Sequence, residues 1–183
     1  HDDDLIAHVV RTAGIADGMR VLDAGCGVCG PSIRIARLAN VTIDAITISP
    51  VQAELARQRV REAGLADRIT VHLGDFADLA AIFGRDRFER IIFLETLCHA
   101  RHLDDVTRGC REVLRPGGHV YVKDFYRKQY NDKAQRAWCG VVVERVEAEF
   151  RLHVREISEL VHSMKRAGLE QTLFERLGFD VTF

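Results

Sequence analysis

The chain has almost no net charge, since 26 lysines and arginines stand against 27 aspartates and glutamates in 183 residues. With charges of both signs interspersed, no field draws it onto nucleic acid or an acidic membrane surface. No uninterrupted apolar run approaches the roughly 18 residues a membrane helix requires, and the N-terminus has no signal-peptide core. A cytoplasmic protein without membrane insertion is the expectation. The five cysteines, Cys26, Cys29, Cys98, Cys110 and Cys139, are odd in number and scattered, which disfavours a disulfide framework. Internal repeats and low-complexity stretches are absent, and no methionine opens the chain, so residues upstream are expected. What is present is a 47% hydrophobic content, enough for one domain with a substantial core.

The organising stretch is Val21-Leu22-Asp23-Ala24-Gly25-Cys26-Gly27-Val28-Cys29-Gly30-Pro31-Ser32. A short aliphatic run, Met19 to Leu22, ends in an acid, passes through a glycine-rich turn and opens a helix with proline in its first turn. Glycines let the backbone approach a ligand closely, and the N–H groups of the new helix face the same spot. The spacing satisfies G-x-G-x-x-G, a weak dinucleotide signal by itself. Asp23 argues against a pyrophosphate, because a carboxylate before the first glycine suits a cation and repels a phosphate. A dinucleotide site also expects an acid about 20 residues on, at the end of the second strand. That strand ends Ala45-Ile46-Thr47-Ile48-Ser49, without one. Cys26-x-x-Cys29 would need a second ligand pair to hold zinc, and none lies nearby, so no metal site is expected.

Along the chain, an apolar stripe from Leu5 to Ala13 reads as a packing helix stopped at Gly14. Helix from Ile33 to Asn40 precedes a second strand, Val41 to Ile48. Ser49-Pro50 caps a helix running to Ala63. Strands at 68–73 and 87–94, a helix at 103–114, and a Pro116-Gly117-Gly118 turn into a fifth strand, His119 to Phe125, complete the alternation. This predicts an α/β fold, a doubly wound, Rossmann-like, mostly parallel sheet with flanking helices. Ligands on such sheets bind beyond the strands' carboxyl ends. After Tyr126 the alternation lapses. Asn131 is expected to cap a helix carrying Trp138, Val141, Val142, Val146 and Phe150, and Ser158 one ending at Ala167-Gly168. We expect a single domain with a cofactor-binding core over 1–125 and, over 126–168, a helical lid and substrate wall or else a plain packing helix pair. Residues 169–183 would form either two short strands or a helix before Gly178 and one strand, with a last strand missing.

Asp-x-Gly-x-Gly resembles the first motif of the class I S-adenosylmethionine-dependent methyltransferases. Together with the strand-two end, Gly74-Asp75, the Glu95 motif and Leu114-Arg-Pro-Gly-Gly118, the resemblance covers about Leu5 to Phe125. Gly-Cys-Gly-Val-x-Gly-Pro with Glu-x-x-Cys-His-Ala is similar to the sterol 24-C-methyltransferase branch and related isoprenoid and natural-product enzymes. Cys29 departs from that branch's glycine, and the region after Phe125 matches no family pattern. The resemblance implies S-adenosylmethionine as cofactor, bound at Asp23, Gly25, Gly27, Thr47, Ile48, Gln52, Gly74, Asp75, Phe76 and Leu94. Asp23 would meet the ammonium, Thr47, Ile48 and Gln52 the ribose region, and Asp75 the adenine amino group. The same residues have plainer readings as strand ends, helix surface and a Gly-Asp turn.

Methyl transfer needs chiefly alignment, worth about 7 to 11 kcal/mol. If the acceptor is an alkene carbon, the product cation must be stabilised and deprotonated. Glu95, at a strand's carboxyl end beneath an apolar lid, suits both tasks, and the resemblance implies that role. Glu95 could instead only hold the donor's methionine end or pair with an arginine such as Arg101, and His99 could serve as base for an O- or N-acceptor or be a satisfied histidine at a helix start. Arg101, His102, Arg127 and Lys128 could hold a diphosphate, with Mg2+ only in that case, or form a solvated rim. A small-molecule substrate is expected; homo-oligomerisation stays open, as does a non-catalytic cofactor-binding module.

Overall fold

The computed structural model describes residues 2–127 and 131–175. Five parallel strands form one sheet in the order β3-β2-β1-β4-β5: β1 Arg20–Ala24, β2 Thr42–Thr47, β3 Ile69–Leu73, β4 Phe88–Leu94 and β5 Leu114–Lys123. The order reverses at β1, between β2 and β4. On open α/β sheets this reversal is where a crevice opens beyond the strand ends. The helices are α1 Asp2–Thr12, α2 Gly30–Leu38, α3 Pro50–Glu62, α4 Leu79–Phe83, α5 Leu103–Val113, α6 Lys133–Phe150 and α7 Ile157–Arg166.

Two apolar layers hold the sheet from its two faces. Val21, Ile35, Ile43, Ala56, Val60 and Ile92 belong to one, and Leu22, Ile46, Leu79, Phe88, Ile91, Phe93 and Val106 to the other. Alternate residues of a strand point to opposite faces, so a run such as Ile91-Ile92-Phe93 feeds both layers and is fully buried. Each such side chain contributes roughly 1.5–3 kcal/mol. Asp44, buried at mid-strand on β2, is satisfied by Arg20 at 2.9 Å and His72 at 2.7 Å, with Arg87 at 3.4 Å. These partners hold its carboxyl below the usual range against the opposing effect of burial.

Several boundaries differ from the sequence reading, each for a local reason. Strand β5 begins directly at Leu114, with the Pro-Gly-Gly segment looped out inside it: Phe88 pairs with Leu114 but Arg90 with His119. Gly117 takes φ +77°, and a Cβ on Gly118 would lie 2.9 Å from the Arg115 carbonyl. Ser49 caps α3 as expected, accepting from the Gln52 N–H at 3.3 Å. For α6 the cap is Asp132 rather than Asn131, and for α7 it is Glu156, in a reciprocal capping box with Glu159, rather than Ser158. Helix α4 was not anticipated; five residues are too short to show a period.

The two helices after β5 behave differently. Helix α7 docks on α5: the hydroxyls of Thr107 and Ser163 meet at 2.9 Å, Ser163 donates to Asp104 at 2.5 Å, and Leu160 enters the core. Helix α6 buries none of its residues and leaves Trp138, Val141, Val142 and Phe150 in solvent. The segment expected as lid or substrate wall thus contains one packed helix and one exposed one. Residues 169–175 form no strand or helix; the rest of the expected terminal strand region, 176–183, lies outside the described residues. Among the described residues, no helix is long and apolar enough to cross a membrane.

Candidate functional site

The glycine loop sits at the carboxyl end of β1 and is held by its neighbours on both sides. The N–H groups of Gly25 and Cys26 both donate to the Ile46 carbonyl on β2, at 2.9 Å each. On the other side Thr96 donates to the Ala24 carbonyl at 2.7 Å. A Cβ on Gly25 would stand 2.6 Å from the Thr96 Cβ, and its φ is +91°, so only glycine fits. Gly27, at φ +54°, and Gly30 have no atom within 4 Å of where a Cβ would project. The loop is packed at its base and open at its rim, which is the form of a ligand cradle.

Asp23 is 2% exposed, and Ser32, in the first turn of α2, donates to its Oδ2 at 2.5 Å. Burial raises its pKa to about 6, against the lowering effect of that hydrogen bond. This carboxylate therefore fastens β1 to α2, a role the sequence reading did not assign. Cys29 is the residue before α2 and adopts φ 61°, ψ 25°, a left-handed conformation fit for glycine. Cys26 and Cys29 are both free and buried, with no side-chain cluster around them that could hold a metal among the described residues. Hydrogen bonding with Cys29, then burial and the nearby Asp23, push the Cys26 thiol far up, so it stays protonated.

Beyond β2, Thr47 is buried and its hydroxyl donates to Gln52 Oε1 at 2.9 Å, while Ile48 is 70% exposed. Beyond β3, Leu73 is exposed, and a Cβ on Gly74 would lie 2.9 Å from Ile82. Asp75 accepts from the Ala77 N–H at 2.8 Å, opening a one-turn 3-10 helix over Phe76–Asp78. The Phe76 ring packs edge-on to Phe93, 5.7 Å between centroids, and Leu94 leans on the core. The strand ends thus bring together the loop, Thr47, Ile48, Gln52 and the Gly74-Asp75-Phe76 turn along one edge of the sheet. Exposed apolar Ile48 and Leu73 beside open glycines suit a flat, partly apolar ligand.

Across the reversal point, Glu95 follows β4 with φ +59°, a strained conformation for a residue with a Cβ. Its carboxylate pairs with the Lys123 ammonium at the end of β5 rather than with Arg101, and its N–H donates to the Lys123 carbonyl at 2.7 Å. Lys123 is largely buried, whereas the Glu95 side chain is 45% exposed and not covered by an apolar lid. His99 is exposed, with Nδ1 3.3 Å from the Arg151 carbonyl. Arg101, His102 and Arg127 are exposed, with His102 at the head of α5; Lys128 lies outside the described residues. Asp124 accepts from the N–H groups of Cys98, at 2.9 Å, and Phe125, at 2.8 Å, joining the two strand ends. Thr96, Lys123 and Asp124, which hold these strand ends together, were not singled out in the sequence. Their signal was available in part: a Lys-Asp pair ending an otherwise apolar parallel strand falls on the ligand edge.

A strand-end acid, a glycine loop open at its rim beside it, and a second acid across the reversal point lie along the carboxyl edge of a Rossmann-like parallel sheet. The chain belongs to the methyltransferase domain family, whose profile matches residues 15–176, within the class I S-adenosylmethionine-dependent methyltransferases. It is 39% identical over 110 residues, 60% of the chain, to the methyltransferase GfsG of Streptomyces halstedii. Over 184 aligned residues, 99% of the chain, it is 32% identical to 24-methylenesterol C-methyltransferase 2 of Oryza sativa subsp. japonica. The chain spans 39% and 47% of those two proteins' lengths. Its fold matches geranyl diphosphate C-methyltransferase of Streptomyces coelicolor A3(2), with a TM-score of 0.78 at 18% identity, over 91% of this chain and 60% of that one.

Proposed function

We propose that this domain transfers a methyl group from S-adenosylmethionine to a small molecule, in its sharper form to an alkene carbon of an isoprenoid-type acceptor. The observation that carries the reading is the loop whose base is closed by Thr96 and whose Gly27 and Gly30 face open space next to Asp23. When bound, the donor supplies an electrophilic methyl group; every other task falls to the chain. Asp23 offers a buried negative charge to the donor's ammonium, which would draw its pKa back down. Thr47, Ile48 and Gln52 hold the ribose region and the Gly74-Asp75-Phe76 turn the adenine, with Leu94 behind them. The kinship with sterol C-methyltransferases supports an alkene acceptor.

An alkene that accepts a methyl group through its π electrons becomes a carbocation and must lose a proton. Glu95 is the carboxylate at the strand end facing the reversal point, and Lys123 fixes its direction. It would stabilise the cation and then take the proton. A second reading rests on His99. A carbonyl can only accept, so its contact with the Arg151 oxygen places the proton on Nδ1 and leaves Nε2 free as a base for an O- or N-acceptor.

The test pairs binding with turnover. Wild-type protein is expected to bind S-adenosylhomocysteine and not NAD by calorimetry. Glu95→Gln should keep that affinity within about twofold and lose about 10²–10⁴ in turnover of an alkene acceptor. Full activity of Glu95→Gln with damage by His99→Ala would transfer the role to His99. Binding of NAD alone would remove the methyltransferase reading, and binding without turnover of any acceptor would leave a cofactor-binding module.

A further inference from the structure

The sheet holds together to the ends of its outer strand pairs and parts in the middle. Strand β1 stays paired with β2 up to Ala24 and Ile46, and β4 with β5 up to Leu94 and Lys123, but the pairing of β1 with β4 stops at Asp23 and Ile92. The glycine loop leaves on one side of that gap and Glu95 on the other. The side chain of Thr96 crosses it. Its hydroxyl donates to the Ala24 carbonyl at 2.7 Å. Its Cβ and Cγ2 fill the space a Gly25 side chain would take, 2.6 and 2.7 Å from where that Cβ would stand.

Both arms of the threonine are therefore in use. The hydroxyl sets the distance to β1 and the methyl bears on the loop, while a branched Cβ leaves the side chain few other rotamers. One residue earlier, Glu95 is held at φ +59° by two contacts with Lys123, one from its N–H and one from its carboxylate. Strain of that kind persists only where the surroundings over-determine it. Glu95 is thus tied to β5 by Lys123 and to the glycine loop by its neighbour Thr96. Reacting groups tolerate little error in alignment, since a misplacement of about 1 Å can cost about 10²-fold in rate.

Resting on the methyltransferase reading above, we infer that Thr96 is a positioning residue: it sets the spacing between the glycine loop and the Glu95 carboxylate, and so between the donor's methyl group and that carboxylate. Loop and carboxylate belong to opposite halves of the sheet edge, and the pairing within either half does not fix their separation. Donor affinity itself rests on a different anchor. The loop is gripped from β2, through the Gly25 and Cys26 N–H groups on the Ile46 carbonyl, and that grip does not involve Thr96.

Two donor analogues test this without any acceptor. Sinefungin carries a protonated amine where the transferred methyl would lie, and S-adenosylhomocysteine leaves that position empty, so the ratio of their calorimetric affinities reads how Glu95 stands to the methyl. Wild-type protein should bind sinefungin about tenfold more tightly, and Glu95→Gln should bind the two about equally. Thr96→Val keeps the shape and removes the hydroxyl. Its ratio should fall to about two, with S-adenosylhomocysteine affinity within about twofold of wild type. Thr96→Ser, which keeps the hydroxyl, should hold the ratio at about five or more. Thr96→Ala should fall as far as the valine protein and decides the matter if that protein does not fold. Added to Glu95→Gln, Thr96→Val should change the ratio by less than about twofold, because the group it positions is already gone. A preference that survives Thr96→Val or Glu95→Gln, equal binding of the two by wild type, or a Thr96→Val effect that persists without Glu95 would overturn the inference. Binding of neither compound by wild type would overturn the methyltransferase reading, and the inference with it.

Discussion

The two halves of the sheet's carboxyl edge are built on different principles. On the β1–β2–β3 side the shape is set by backbone: two N–H groups on one carbonyl, positive φ at Gly25 and Gly27, and glycines where a Cβ would collide or fill the cradle. On the β4–β5 side it is set by side chains: the Glu95–Lys123 pair and Asp124 bridging two strand ends. Backbone shape tolerates few sequences and suits a ligand that never changes. Side-chain shape can be altered one residue at a time, which suits a partner that differs between relatives.

If that contrast is right, two alanines in the same loop should fail in different ways. Gly25→Ala places a methyl against Thr96 in a left-handed conformation, and we expect a loss of about 3 kcal/mol of stability in chemical denaturation, with donor binding lost as well. Gly27→Ala has no protein atom to strike and should cost only about 1 kcal/mol of stability. It should nevertheless weaken S-adenosylhomocysteine by about 100-fold, because its methyl enters the cradle. Normal binding by Gly27→Ala would mean that the open rim faces only water.

Asp23 should show the cost of keeping a charge in the backbone-built half. Its folded pKa, about 6, lies above the ordinary 3.8. The protonated acid is thus favoured in the folded state, and its stabilising contribution is complete below pH 3.8 and lost as pH rises through 6. The gap corresponds to about 3 kcal/mol at neutral pH. Asp23→Asn should therefore be the more stable protein at pH 7 by up to that amount and equal to wild type below pH 4, while binding S-adenosylhomocysteine more weakly. A variant less stable than wild type at pH 7 would show that the ionised carboxylate supports the fold.

The smallest effect should come at Cys29, where two terms oppose each other. Glycine would relieve the left-handed strain, about 1 kcal/mol, and forfeit the packing of a fully buried thiol of similar size. The melting temperature of Cys29→Gly should stay within about 4 °C of wild type. A larger rise would identify the cysteine as a cost retained for some other purpose.

Much of this was legible in the residues. The alternation of strands and helices, the glycine turn and the Ser49 cap all depend on neighbours within a few positions. The features left open or unread depend on contacts between separate elements. Glu95 pairs with Lys123, 28 residues away, not with nearby Arg101. Asp23 turned out to be joined to Ser32 in the first turn of the next helix, because the loop folds back on itself. The apolar residues of α6 were compatible with a lid or with a packing helix, and in the structure none of them is buried.

The sequence by itself determined the parallel sheet and the cradle, since local periodicity and glycine's conformational freedom leave few other ways to fold those segments. Only the tertiary structure decided which carboxylate is buried, which lysine steers Glu95 and which hydroxyl crosses from the end of β4 to the glycine loop. Those outcomes follow from strand register and helix docking, which bring together residues that local spacing cannot relate.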